Sequence, residues 1–318
     1  MIFIHDDPEF GDLLLIVADK IGFNPAMVEK DYWVTHCLWA LLDQGFDLWL
    51  KGGTSLSKGF DLINRFSEDL DLKLESGAVA GIPAVQSWKS KNTSRTAERR
   101  DHFHSLCEAI EIPGTKLVAQ FDAMEENRCR DLSIHVRYPL RFRERLHTQL
   151  QPFVLLEVGN AKVVPAVRCD LSSWVHEHVH DASPSAEYKA NLPKRVRCLH
   201  PLVTLVEKLE VICRRYDKKS KPATFIRHYE DAARIIERAD KLPNLERDVG
   251  EVVAEMLDAG DLRTALPSPA HPAFQTTNES EQQEALRLEF ASLDPLYWGD
   301  RMSLEDCCER IRRWLQKR

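Results

Sequence analysis

The feature that most restricts how this chain folds is a change of hydrophobic period near residue 46. From Phe46 to Lys51 the residues alternate at period two, and from Asp69 to Leu74 they alternate again, polar on one side and apolar on the other. Such alternation fits a pleated strand and not a helix, because successive strand side chains point to opposite faces. Gly52-Gly53 ends the first run, and Thr54 is placed to cap a helix reaching about Asn64. The segment therefore predicts strand, glycine turn, helix, strand.

Helices are expected on both sides of this unit. Phe10, Leu13, Leu14, Val17, Ala18 and Ile21 recur at helical spacing until Gly22 and Asn24-Pro25 interrupt them. A second helix fits Ala26 to Leu42, with Tyr32, Trp33, His36, Trp39 and Ala40 mixing apolar and polar positions. Further strands fit Leu132–Tyr138, Phe153–Val158 and Val163–Cys169. The basic run from Ser87 to Arg100 reads as a loop or a solvated helix. Later helices fit Leu202–Cys213, Tyr229–Ile236 and Ser303–Gln316, and Pro267–Glu281 reads as a surface loop. The fold class is α/β (α+β), with a mixed sheet at residues 46–190, a helical N-terminal extension at 1–45 and a helical C-terminal domain at 191–318.

Composition bounds what such a fold does. The chain has 318 residues, 43% of them hydrophobic and 29% charged, which supports a buried core and argues against extended disorder. The net charge of −7 argues against a nucleic-acid binder acting through bulk positive charge, so any such contact must be local. The 8 cysteines form no C-x-x-C pair, the start lacks a basic signal-peptide region, and no apolar run approaches the ~20 residues of a membrane span. These features predict a cytoplasmic protein with reduced thiols and no membrane contact.

The chemistry concentrates after the first strand. A double glycine entering a helix lets backbone N–H groups and a positive dipole end approach a phosphate, and Thr54 and Ser55 add hydroxyls. The spacing is not that of a Walker loop. Asp69 and Asp71 stand at i and i+2 of one strand, so they share a face with Cα atoms ~7 Å apart. Two carboxylates beside a phosphate cradle suit Mg²⁺, which takes one or two carboxylates together with substrate phosphates. Paired ions ~3.5–4 Å apart activate a hydroxyl and stabilise a leaving pyrophosphate. Glu157, the one acid in an apolar strand, is the candidate third carboxylate.

The run GGTSLSKGFDLINRFSEDLDLKLE resembles the signature of the AbiEii/AbiGii nucleotidyltransferase toxins, within the polymerase-beta-like nucleotidyltransferase superfamily. It fills the pattern GGT-x-L-x-K followed by R-x-S-x-D-hydrophobic-D. Val28–Thr35 resembles the family's helical lead-in, Thr204–Leu209 its E-K helix and Arg227–Asp231 its R-H-Y-x-D segment, so the resemblance spans about residues 28–235. It implies a nucleotidyltransferase that moves a nucleoside monophosphate from an NTP to an acceptor hydroxyl with Mg²⁺ (or Mn²⁺). Gly52, Gly53, Thr54, Ser55, Lys58 and Ser67 would hold the nucleotide, and Asp69, Asp71 and Glu157 the metal. Lys208 would contact the phosphates, and Asp231 would orient Lys208 or the acceptor. It further implies the toxin of a toxin–antitoxin or abortive-infection system, neutralised by an antitoxin encoded nearby.

The acceptor is open from sequence. Basic stretches at Lys89–Arg100, Arg141–Arg145 and Arg214–Lys221 suggest RNA, such as tRNA. A small molecule or protein acceptor is the alternative, as is a non-catalytic nucleotide-binding module. His176, His178 and His180 would share a face and a metal if they lay on a strand, and have no such role in a loop. Cys307-Cys308 are expected to be one packed and one exposed thiol.

Overall fold

The computed structural model describes residues 1–160, 163–182, 188–276 and 280–318. The chain forms two compact units: Met1–Thr54, Glu68–Ala161 and Arg168–Cys198 make the first, and Ser55–Ser67, Lys162–Val167 and Leu199–Arg318 the second.

The first unit begins with α1 (Phe10–Ile21), which ends where Gly22 turns left-handed, and α2 (Pro25–Asp43), whose start is capped by the Asn24 side chain accepting from Ala26 N–H. These are followed by β1 (Asp47–Lys51), a single helical turn α3 (Gly52–Thr54) and β2 (Asp69–Glu75). Next come α4 (Thr93–Ala109), β3 (Lys116–Ala119), α5 (Phe121–Glu126), β4 (Asp131–Arg137) and β5 (Val154–Gly159). β6 (Ala166–Cys169), α6 (Trp174–Ala182) and β7 (Val196–Leu199) complete the sheet region. The strands form one mixed sheet in the order β3-β4-β5-β2-β1-β7-β6. β2 runs antiparallel to β1 and parallel to β5, and β7 runs parallel to β1. Leu48, Leu50, Leu70, Leu72, Leu132, Ile134, Leu156 and Val158 are buried on the inner face, as period two requires.

α2 mixes apolar and polar residues as expected, but its polar ones are not on a solvent face. Pro25 to Leu41 are all buried, so its polar residues are interior and each needs a partner. Glu29 accepts from Arg141 N–H at 3.0 Å and Phe142 N–H at 3.3 Å. Lys30 pairs with Glu68 and donates to Gln151 C=O. Asp31 accepts from Trp174 N–H at 3.0 Å. His36 donates through Nε2 to Pro113 C=O at 3.0 Å and accepts at Nδ1 from Asn191. Burial lowers its pKa to about 3, so it stays neutral.

The second unit holds α7 (Pro201–Asp217), α8 (Arg227–Glu237), α9 (Val249–Asp258), α10 (Glu281–Ser292) and α11 (Leu304–Leu315). α8 packs against both α7 and α11. The expected surface loop at 267–281 is partly interior: Ala273 and Phe274 are buried, and Tyr229 Oη donates to Ala273 C=O at 3.0 Å. Residues 277–279 of that stretch lie outside the described residues. Cys307 and Cys308 are both buried, not one packed and one exposed, because α11 is covered on more than one side.

Three further expectations change. The helix after Gly53 does not continue to Asn64. α3 passes into a π-helical turn, Ser55–Gly59, and the chain is then irregular. Thr54 does not act as a helix cap; its hydroxyl donates to Asp69 C=O at 2.6 Å. The Ser87–Arg100 stretch is helical from Thr93 and only partly solvated, since Arg99 is fully buried and donates to Ser87 C=O and Arg128 C=O.

Candidate active site

The acidic face lies in the first unit. Asp69 and Asp71 sit on the half-buried side of β2, alternating with buried Leu70 and Leu72. Across the parallel pairing, Asp71 stands opposite Glu157 of β5, so all three carboxylates share one face. On the other side, Lys51 of β1 is the register partner of Asp71.

Glu157 reports the electrostatics of this face. Its side chain is exposed at the surface, and the protein beneath it removes part of the water around the carboxyl. That desolvation comes first; the charges of Asp71, Asp69 and Asp131 add to it, Lys51 counters, and the pKa rises to about 7. Strand register places Asp71 directly beside Glu157.

Gly52 makes the turn beside this face. Its φ is +72°, and a Cβ there would lie 3.3 Å from both Cβ and Oδ2 of Asp71. Glycine is therefore required twice, for the left-handed backbone and for the close approach to Asp71. Gly53 is the next residue of the helical turn, and Thr54 is buried.

Among the described residues no three His, Cys, Asp or Glu side chains are already drawn together into a metal cage. The donor set nonetheless fits Mg²⁺: the oxygens are hard, the acids crowd one another, and this ion takes few protein carboxylates, completing its shell with water and phosphate oxygens.

The remaining candidates belong to the second unit. Ser55 is buried, and Ser57, Lys58 and Ser67 are half-buried. Lys208 on α7 donates to Asp231 Oδ2 on α8 at 2.7 Å, and His228 Nδ1 lies 3.3 Å from the same ammonium. Arg65 binds Asp231 through Nε to Oδ1 and Nη2 to Oδ2, both at 2.8 Å. Burial alone would raise the Asp231 pKa, but Arg65 and then Lys208 hold it far below the usual carboxylate range. Burial drives the His228 pKa well down, assisted by Lys208, so that ring is neutral.

Sequence reasoning missed Arg65 as the partner of Asp231, and missed Glu29, Lys30 and Glu68 as buried ions. Arg65 carried a signal, since it occupies the R of R-x-S-x-D-x-D; the buried ions carried none. The three histidines do not form a metal face. They lie on α6, where positions two apart point to nearly opposite sides, and His176 is tied to Ser173 and Asn191.

A mixed sheet with a glycine turn leading to an acidic strand, joined to a helical unit, defines a class of α/β proteins built around a carboxylate face. The chain matches the family described as nucleotidyl transferase AbiEii toxin, type IV TA system, over residues 39–303, and it belongs to that family. It is thus a nucleotidyltransferase toxin, and the type IV toxin–antitoxin family implies a cognate antitoxin. The match begins after Val28–Thr35 and extends well past residue 235 into the C-terminal helices. No curated protein and no solved structure matches the chain. Among the described residues no helix is long and apolar enough to cross a membrane.

Proposed function

We propose that this toxin transfers a nucleoside monophosphate from an NTP to a hydroxyl of RNA, with tRNA as the acceptor, in the cytoplasm. The observation that carries the reading is the shared face of Asp69, Asp71 and Glu157, with Glu157 pushed up to about 7 by burial and the acids around it. Those three residues would hold Mg²⁺ or Mn²⁺. The bound cation would polarise phosphate oxygens and offset the charge that builds on them.

In the reaction the acceptor oxygen bonds to the α-phosphorus while the bond from that phosphorus to the β-bridging oxygen breaks. Pyrophosphate leaves with the electron pair, and the hydroxyl proton passes to solvent. Gly52 and Gly53, beside the carboxylate face, present backbone to the triphosphate, and the buried Thr54 braces that turn through its hydroxyl on Asp69 C=O. In the second unit, Asp231 and His228 fix the buried Lys208 ammonium, the proposed point charge for phosphate.

The test is incubation of the full chain with each α-labelled NTP, Mg²⁺ and total tRNA. Label is expected on tRNA with wild type and not with Asp69→Ala. Equal labelling by both would refute the metal reading. Labelling of a protein or small molecule instead of tRNA would retain the chemistry and replace the acceptor.

A further inference from the structure

Lys51, Asp71 and Glu157 form a row across three neighbouring strands, reading cation, carboxylate, carboxylate. Lys51 Nζ stands 3.6 Å from Asp71 Oδ2, an ion pair longer than a hydrogen bond. Its side chain is 16% exposed, against 37% for Asp71, so the ammonium is held close over the acidic face. Its field reaches Glu157 as well, opposing the upward push of Asp71, Asp69 and Asp131.

We propose that Lys51 is a placeholder cation for this face: it partly neutralises the carboxylates before a divalent cation arrives, and moves to the substrate's triphosphate afterwards. The proposal rests on the reading that Asp69, Asp71 and Glu157 hold the metal. The physical reason is competition, because two cations cannot occupy the same side of Asp71 without repelling each other. A triphosphate brings a strong negative charge, and the flexible four-carbon stem of Lys51 lets the ammonium follow it without backbone movement. Gly52, the next residue, presents no side chain between the turn and Asp71.

This role has a signature of opposite signs. Removing the charge of Lys51 strengthens metal binding in the absence of nucleotide and weakens nucleotide use. A lysine that stays on Asp71 throughout would leave nucleotide use unchanged when its charge is removed.

The experiment measures Mn²⁺ binding to the full chain by electron paramagnetic resonance, without nucleotide, for wild type, Lys51→Met, Lys51→Gln, Lys51→Arg and Asp71→Asn. Steady-state transfer is then measured across an NTP titration. Lys51→Met, or Lys51→Gln if the first variant fails to fold, is expected to bind Mn²⁺ about three- to tenfold more tightly and to raise KM for NTP. Lys51→Arg keeps the charge and is expected to bind Mn²⁺ as wild type does. Unchanged or weaker Mn²⁺ binding in the neutral variants, with binding lost in Asp71→Asn, would overturn the placeholder role and leave the metal reading intact. Equal binding by wild type and Asp71→Asn, or none by either, would overturn the metal reading and the placeholder role with it.

Discussion

Replacing Asp231 by alanine is expected to be among the most destabilising single changes in the second unit. Asp231 is 1% exposed and accepts three charge-assisted hydrogen bonds, two from Arg65 and one from Lys208, whose side chains are 5% and 6% exposed. Asp231→Ala leaves two buried cations without their shared counter-ion, at a cost of about 3–5 kcal/mol. Lys208→Met removes one cation and leaves the bidentate Arg65–Asp231 pair intact, so it should cost only about 1–2 kcal/mol. Urea unfolding of the full chain monitored by circular dichroism reads the difference. The pH dependence has a definite sign. Because the folded pKa of Asp231 lies below its ordinary 3.8, the stabilisation is fully present above that value and is lost as acid takes the pH below it. The contribution is therefore flat through neutral pH. An Asp231→Ala cost below about 1 kcal/mol, or no larger than that of Lys208→Met, would refute the reasoning.

Other single positions carry consequences of their own. Burial raises the Glu29 pKa to about 7 against its backbone hydrogen bonds, so the folded chain resists ionising it. Stability should fall as pH rises from about 4.5 to about 7, by up to ~3 kcal/mol, and Glu29→Gln should flatten that slope in urea titrations. Gly52→Ala should cost about 1–2 kcal/mol from left-handed backbone strain and also reduce transfer by pressing on Asp71, read by thermal unfolding and the labelling assay together. Lys30→Met should destabilise by about 3–5 kcal/mol because Glu68 is left buried and unpaired; adding Glu68→Leu should recover part of that loss in the same assay.

Much of the sheet was legible because its strands have one buried face. β2 and β4 came within about a residue of their sequence-expected bounds, since Leu70, Leu72, Ile134 and Val136 alternate with polar residues. β3 and β7, each four residues long, have no counterpart among the strands expected from sequence. α5, α6, α9 and α10 were also missed; α6 was obscured by its alternating histidines, which mimic strand spacing. The helix expected after Thr54 failed because its hydroxyl is spent on Asp69 C=O and the next turn is π-helical. α2 was legible as a helix, but the full burial of its polar residues was not, because burial of Glu29, Lys30 and Asp31 depends on partners 38 to 143 residues away.

The sequence by itself determined the order strand, glycine turn, acidic strand, and the shared face of Asp69 and Asp71. Both arise from local rules, the period of two and the freedom of glycine at positive φ. Tertiary structure alone decided that Glu157 stands beside Asp71, that Lys51 faces it from the other side, and that Arg65 and Lys208 divide one carboxylate. These are pairings between strands and helices distant in the chain. They are set by register and burial, which no local pattern encodes, and they determine which of the chain's many charges face one another.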